Sequence, residues 1–197
     1  NRLGGELRVT AAVGREDELS IDFYQPIDTR AKWFVESEVF WNRESYDWWV
    51  EDVNLAELEL KAGGINFGLG RNLNTTNRAR LTYAFADGKA DIITGNPDLL
   101  AEDRFDIGEL ELQYIHDSLN NIWFPTSGMM HKLEYLYASE SLGASSDYEQ
   151  ATANGTLLFS VGKNTALLNY ELGYSFDDAA PVERWYRMGG FGRLSGL

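Results

Sequence analysis

The sequence lacks cysteine altogether and has only two histidines among its 197 residues. The absence of cysteine excludes disulfide bonds, thiolate metal sites and cysteine nucleophiles, and it leaves the cellular compartment open. Long apolar runs are missing as well, because the longest stretch without Asp, Glu, Lys or Arg is the 14-residue segment 118–131. A spanning helix needs about 20 predominantly apolar residues, so no transmembrane helix is predicted.

Positive charge is scarce, since 31 acidic residues stand against 17 basic ones and give a formal net charge of −14. A nucleic-acid partner is therefore not expected, because that average charge repels a polyanion. Aromatic residues, by contrast, make up 13% of the chain. A chain this rich in aromatic side chains is predicted to fold, because disordered chains contain few of them.

Apolar and polar residues alternate along most of the sequence, which is typical of β-strands with two unlike faces. In the clearest segment, the odd positions run from Trp33 to Trp41 without a charge, while Glu36 and Glu38 occupy the other face. About nine such segments follow one another, with no convincing helix and no linker between them. The pattern predicts a single all-β domain over residues 1–197.

Strand length and aromatic placement favour an antiparallel transmembrane β-barrel over a soluble sandwich. Several alternating segments span 10 to 14 residues, whereas soluble strands average about 5–6 and tilted membrane strands need about 9–11. Aromatic residues recur near strand ends, where rings favour the lipid headgroup level. We therefore expect contact with outer-membrane lipid and an aromatic girdle that includes Trp33, Trp41, Trp48, Trp49 and Trp123.

The charged faces of the strands would then point into the barrel lumen. Carboxylates two residues apart recur there, which favours a solvated lumen over a catalytic pair. The expected lumen residues are Glu36, Glu38, Glu57, Glu59, Lys61, Arg78, Arg80, Glu109, Glu111, Lys132 and Glu134.

One change of phase interrupts the alternation. Before Gly63 and Gly64 the apolar residues have even numbers, and after them they have odd numbers. A shift of one residue at a glycine pair is what a β-bulge produces, so a bulge is predicted at Gly63 and Gly64.

The most specific segment comprises residues 184–197. It fails as a dinucleotide fingerprint, because Ser195 stands at the third required glycine, and as a hydrolase elbow, because Arg193 stands where G-x-S-x-G needs glycine. Four glycines here permit close backbone approach, so we expect the segment to fold into the barrel, with Arg193 in an internal ion pair. The motif itself consists of Gly189, Gly190, Phe191, Gly192, Arg193, Leu194, Ser195 and Gly196.

This motif resembles the sixth-loop motif of the outer-membrane assembly and translocation barrel superfamily, the bacterial surface antigen family. That family's pattern, G-G-F-x-x-(V/I)-R-G-(F/Y), has arginine where this chain has Ser195 and an aromatic residue where it has Leu197. The Leu-Ser-Gly version and the early segment 1–26 are most similar to the barrels that follow a patatin-like lipase in type V autotransporters. The resemblance implies a sixteen-stranded barrel in the bacterial outer membrane, of which this chain supplies about the third to eleventh strands.

On that resemblance, the chain serves as membrane anchor and translocator for a lipase passenger, with a small periplasmic docking domain in the same protein. The passenger's serine would lie on a G-x-S-x-G elbow, which residues 1–197 do not contain. No catalytic activity is therefore predicted for this chain, and no cofactor or metal site is expected.

Three alternatives stay open at this point. The barrel of an outer-membrane protein insertase or of a two-partner secretion translocator would share the motif. A soluble all-β module could recognise carbohydrate with its tryptophans and tyrosines, and a diffusion porin could share the alternation. A requirement for detergent would separate the barrels from the soluble module. The motif separates the barrels of the superfamily from the porin.

Overall fold

The computed structural model describes residues 3–14, 16–50, 53–96, 103–176, 181, 184 and 186. Within these residues, nine strands form one antiparallel meander in which each strand pairs with its neighbours in sequence. No helix in this part of the chain is long and apolar enough to cross a membrane. The strands are β1 Glu6–Ala12, β2 Glu16–Pro26, β3 Trp33–Val50, β4 Val53–Asn72, β5 Asn77–Gly95, β6 Asp103–Asp117, β7 Gly128–Ala138, β8 Tyr148–Val161 and β9 Asn164–Ser175.

The prediction of an all-β antiparallel fold is confirmed. In the described sheet β1 pairs only with β2, and β9 only with β8. A short 3-10 helix, Glu140–Leu142, lies between β7 and β8. We call the end of the sheet at which β2 meets β3 the turn end, and the end at which β3 meets β4 the extended end.

Successive residues of each strand face opposite sides of the sheet, and the two sides differ in chemistry. On β3, Trp33, Val39 and Trp41 are exposed on the outer face. Phe34 is buried on the inner face, and Glu36 lines an inner cavity. The predicted orientation of this strand, with odd residues outward, is confirmed.

Exposed apolar side chains form an apolar band on the outer face. The band crosses all nine strands and explains why large hydrophobic residues are so often exposed in this fold. Its members include Leu7, Val9, Leu19, Ile21, Phe23, Val35, Val39, Ile65, Phe67, Leu69, Leu81, Phe85, Leu112, Leu133, Phe159, Leu168 and Leu172.

Beyond the apolar band, at the extended end, the two faces exchange their chemistry. The inner face carries a buried cluster, Leu58, Leu60, Ala86, Ala90, Phe105 and Ile107. The outer face carries ion pairs, in which Arg43 lies 2.5 Å from Asp17 and Lys61 contacts Glu59. The prediction that Glu57, Glu59 and Lys61 point into the lumen is therefore wrong: they lie on the outer face, where the strands have left the band.

The predicted bulge at Gly63 and Gly64 is also wrong. Gly63 pairs with Trp41 and Gly64 with Phe40 in unbroken register, and the pairing with β5 is equally regular there. The register shifts instead between Trp48 and Trp49 and between Glu57 and Leu58. The apolar positions change parity because the inner face becomes the apolar one beyond the band, and no residue is inserted.

The two neighbouring glycines should respond differently to alanine. A Cβ on Gly63 would meet its nearest atoms at 3.5 Å, whereas a Cβ on Gly64 would lie 2.3 Å from Ala86 Cβ and 2.4 Å from Phe85 O. We expect Gly64→Ala to lower the free energy of unfolding by about 1–2 kcal/mol through overpacking. Gly63→Ala is the matched control and should stay within about 0.5 kcal/mol of wild type. Urea unfolding in detergent measures both, and equal costs would contradict the close approach at Gly64.

Candidate functional site on the inner face

A network of ion pairs and hydrogen bonds crosses the middle of the inner face. Arg80 on β5 donates from Nη1 to Glu36 Oε2 on β3 at 2.9 Å and from Nη2 to Glu111 Oε1 on β6 at 3.3 Å. Asn66 Nδ2 donates to Glu38 Oε2 at 2.7 Å. These side chains line a cavity of about 340 Å³. The prediction that charged residues of both signs pair across neighbouring strands on this face is confirmed for Arg80 and Glu111, whereas the Arg80–Glu36 pair reaches across β4 to β3.

The same network continues towards β7 and β8. Glu134 accepts a hydrogen bond from Gln113 Nε2 at 2.9 Å and from Thr152 Oγ1 at 3.1 Å. Lys132 Nζ lies 2.7 Å from the same carboxylate. The Glu134 carboxylate is thus paired with Lys132 on its own strand and accepts hydrogen bonds from β6 and β8, which fixes it on the inner wall as a paired charge.

The segment after β9 returns to the inner face and is held there by a buried ion pair. Glu109 on β6 is only 2% exposed. Arg184 donates two hydrogen bonds to the Glu109 carboxylate, from Nε to Oε1 at 2.7 Å and from Nη2 to Oε2. Tyr148 on β8 donates its hydroxyl to the same carboxylate, and Gln150 Nε2 donates to the carbonyl oxygen of Arg184 at 2.9 Å. We refer to this arrangement as the Glu109–Arg184 anchor.

A second contact places Tyr186 against the inner face. Its hydroxyl donates to the carbonyl oxygen of Tyr174 at 2.9 Å. Its ring covers Gly173, where a Cβ would lie 2.6 Å from the ring. Glycine at this position therefore permits the ring to approach the wall closely.

The glycine-rich motif lies outside the described residues, so its predicted position inside the barrel stays a prediction. This applies to Gly189, Gly190, Phe191, Gly192, Arg193, Leu194, Ser195 and Gly196. In the described part of the segment, the arginine that forms an internal ion pair is Arg184. No signal in the sequence singles out this pair, because its partners are 75 positions apart and Glu109 looks no different from Glu111.

The five tryptophans of the predicted girdle fall into different places. Trp33 and Trp41 lie on the outer face at opposite edges of the apolar band, and eight residues separate them by about 27 Å along the strand. Trp123 is 83% exposed in the connection between β6 and β7, at the same end as Trp33.

The girdle prediction is wrong for Trp48, which packs against the buried cluster on the inner side. Trp49 is exposed, but it lies eight residues beyond Trp41, about 27 Å further along the strand. For Trp33, Trp41 and Trp123, contact with lipid headgroups stays a prediction.

Comparison with known proteins identifies a family and a related fold. The family described as "Omp85 superfamily domain" matches residues 1–196. Among the solved structures, 53 chains match, including the crystal structure of BamA from Haemophilus ducreyi lacking POTRA domains 1–3. That match has a TM-score of 0.75 at 16% sequence identity and covers 96% of this chain but only 39% of the BamA chain. No curated protein matches the sequence.

Proposed function

The chain belongs to the Omp85 superfamily, and from that premise we propose that it forms part of a barrel that anchors and translocates a patatin-like lipase passenger. The barrel lies in the bacterial outer membrane. On this proposal, the barrel has no catalytic role, and its function is the passage or insertion of polypeptide. The lipase in this proposal rests on the Leu-Ser-Gly version of the terminal motif.

The observation that carries the proposal is the Glu109–Arg184 anchor. It fixes Arg184 on the inner wall, where this residue also lines the polar cavity. Four glycines follow within the next twelve residues. A glycine-rich segment inside a polar lumen is suited to regulate the passage of an extended polypeptide, because its backbone can lie close to the wall.

The second candidate is a barrel that inserts other proteins into the outer membrane. The similarity to BamA in fold favours it, although at 16% identity that similarity supports the fold alone. Both candidate functions would use the same barrel wall. They differ in which other proteins need this barrel in the cell: one lipase passenger, or outer-membrane proteins in general.

Depletion of the protein in its native cell separates the two candidates. If it serves one passenger, surface-exposed lipase should fall in a protease-accessibility assay, while the folded amounts of other outer-membrane proteins stay constant. A general loss of folded outer-membrane proteins would favour the insertase. Absence of a G-x-S-x-G domain from the complete coding sequence would overturn the lipase passenger.

Labelling of the motif tests its inward position. We expect a cysteine at Arg193→Cys in the complete protein to react slowly with a bulky thiol reagent added outside intact cells, because the barrel wall shields it. Ser141→Cys, at an exposed position in the connection between β7 and β8, is the matched control and should react at once. Equal labelling of the two cysteines would contradict an inward loop.

A further inference from the structure

An arginine stacks on a tryptophan at the turn end of the outer face. Trp33, the first residue of β3, pairs directly with Arg71 on β4. The guanidinium carbon lies 5.1 Å from the centre of the indole ring, and both side chains are exposed. The guanidinium thus lies over the face of the indole ring, in the arrangement of a cation–π contact.

This guanidinium has no hydrogen-bonding partner in the part of the chain that the structure describes. It makes a cation–π contact with the indole ring of Trp33. The next residue across the sheet is Ala79 on β5, which is too small to reach it. The nearby carboxylate of Asp28 is occupied, because it accepts hydrogen bonds from the backbone N–H groups of Arg30, Lys32 and Trp33. These bonds also lower the pKa of Asp28, so that it stays ionised in the turn.

The distribution of charge on the outer face makes this arginine exceptional. On the described strands, outer-face carboxylates such as Asp17, Glu59 and Asp91 lie at the extended end, where they pair with Arg43, Lys61 and Lys89. Among the described strand residues on the turn end of that face, none is acidic. A chain with a net charge of −14 thus presents an unpaired cation at one edge of its apolar band.

The level of the pair along the strands fits a lipid headgroup. Trp33 and Arg71 lie two residues closer to the turn end than Val35 and Leu69, which are the members of the apolar band nearest that end on β3 and β4. Indole rings favour the membrane interface, and arginine extends from the apolar region towards the headgroups.

We propose that Trp33 and Arg71 form a binding site for the phosphate of an anionic phospholipid in the leaflet at the turn end. A guanidinium binds a phosphate with two parallel hydrogen bonds, and the indole ring holds this guanidinium at the edge of the apolar band. The site requires only that the barrel spans the membrane, so it is independent of the proposed lipase passenger.

Native mass spectrometry of the complete protein in detergent, titrated with dioleoylphosphatidylglycerol, tests the site. We expect Arg71→Gln to weaken the tightest lipid-binding step about tenfold, the loss expected for hydrogen bonds to a charged group. Arg71→Lys should weaken it less, because the charge stays but the two-pronged geometry is lost. Millimolar inorganic phosphate should not displace the lipid, because the acyl chains on the apolar band supply much of its affinity.

The matched control is Arg78→Gln. Arg78 stacks on Phe34 at 4.9 Å at the same end of the sheet but on the inner face, so its loss should leave lipid binding unchanged. Gel mobility with and without heating verifies that each variant is folded. Unchanged binding in folded Arg71→Gln, or an equal loss in Arg78→Gln, would overturn the site; displacement by free phosphate would show that the phosphate alone is recognised.

Discussion

Glu109→Ala should release the segment after β9 from the inner wall and lower the free energy of unfolding by about 3 kcal/mol, the lower part of the range for a broken buried ion pair. The side chain of Glu109 is 3% exposed and that of Arg184 is 31% exposed. Removal of the carboxylate leaves the guanidinium without its partner in the lumen and the Tyr148 hydroxyl without its acceptor. The Tyr148 hydroxyl is buried and the guanidinium is about two-thirds buried, so both groups lose a partner that water replaces only in part, and the expected cost is large.

Urea unfolding of the complete protein in detergent measures the loss in free energy of unfolding. Conductance in planar bilayers shows whether the lumen becomes more open when the contact is lost. We expect a larger or more variable conductance in Glu109→Ala, because Arg184 is then no longer held against the wall. Glu111→Ala is the matched control: it lies two residues away on the same face, and its carboxylate meets Arg80 at 3.3 Å with a side chain 29% exposed. Its loss should cost less than about 1 kcal/mol.

An exchange of the charges gives a further check on the anchor. Glu109→Arg combined with Arg184→Glu should recover part of the stability that either single substitution loses, because the pair can form again in reverse. If Glu109→Ala and Glu111→Ala lower the stability equally, and the conductance does not change, the Glu109–Arg184 contact does not hold the chain on the wall.

The strand pattern could be predicted from sequence because it depends on local alternation. The orientation of β3, with Trp33 and Trp41 outward, follows from a period of two residues and needs no knowledge of the partner strand. The Glu109–Arg184 anchor could not be predicted in this way. It depends on the path of the chain between positions 75 apart, and neither residue type nor spacing carries that information.

The failed bulge at Gly63 and Gly64 has a different cause. Alternation reports which face is apolar, and a change of phase indicates a bulge only if the apolar face is the outer one along the whole strand. β4 is 20 residues long, about twice what a tilted strand needs to cross the membrane. Outside the membrane the rule for soluble sheets applies, with Leu58 and Leu60 buried on the inner face and the Glu59–Lys61 ion pair on the outer face. Strand length was thus the available signal for the change of phase.

The same reasoning leads to the second large effect, which concerns Val39→Arg. Val39 is 55% exposed on the outer face and lies between Ile21 on β2 and Ile65 on β4. An arginine there meets lipid and has no carboxylate on its face within the band. We expect the folded barrel in a bilayer to be destabilised by about 2–3 kcal/mol, because Arg on the lipid face costs about 2–4 kcal/mol near the midplane and less towards the interfaces.

Val53→Arg is the matched control for this substitution. Val53 is the same residue type with nearly the same exposure, 56%, but it lies at the extended end, beyond the apolar band. Folding yield into short-chain phosphatidylcholine vesicles, measured by the gel shift on heating, should fall for Val39→Arg and stay at the wild-type level for Val53→Arg. Glu38→Arg, on the inner face beside Val39, should also be tolerated better, because the lumen is polar. Since exposure is equal in the two valines, only the presence of lipid can separate them, and equal yields would place Val39 outside the membrane.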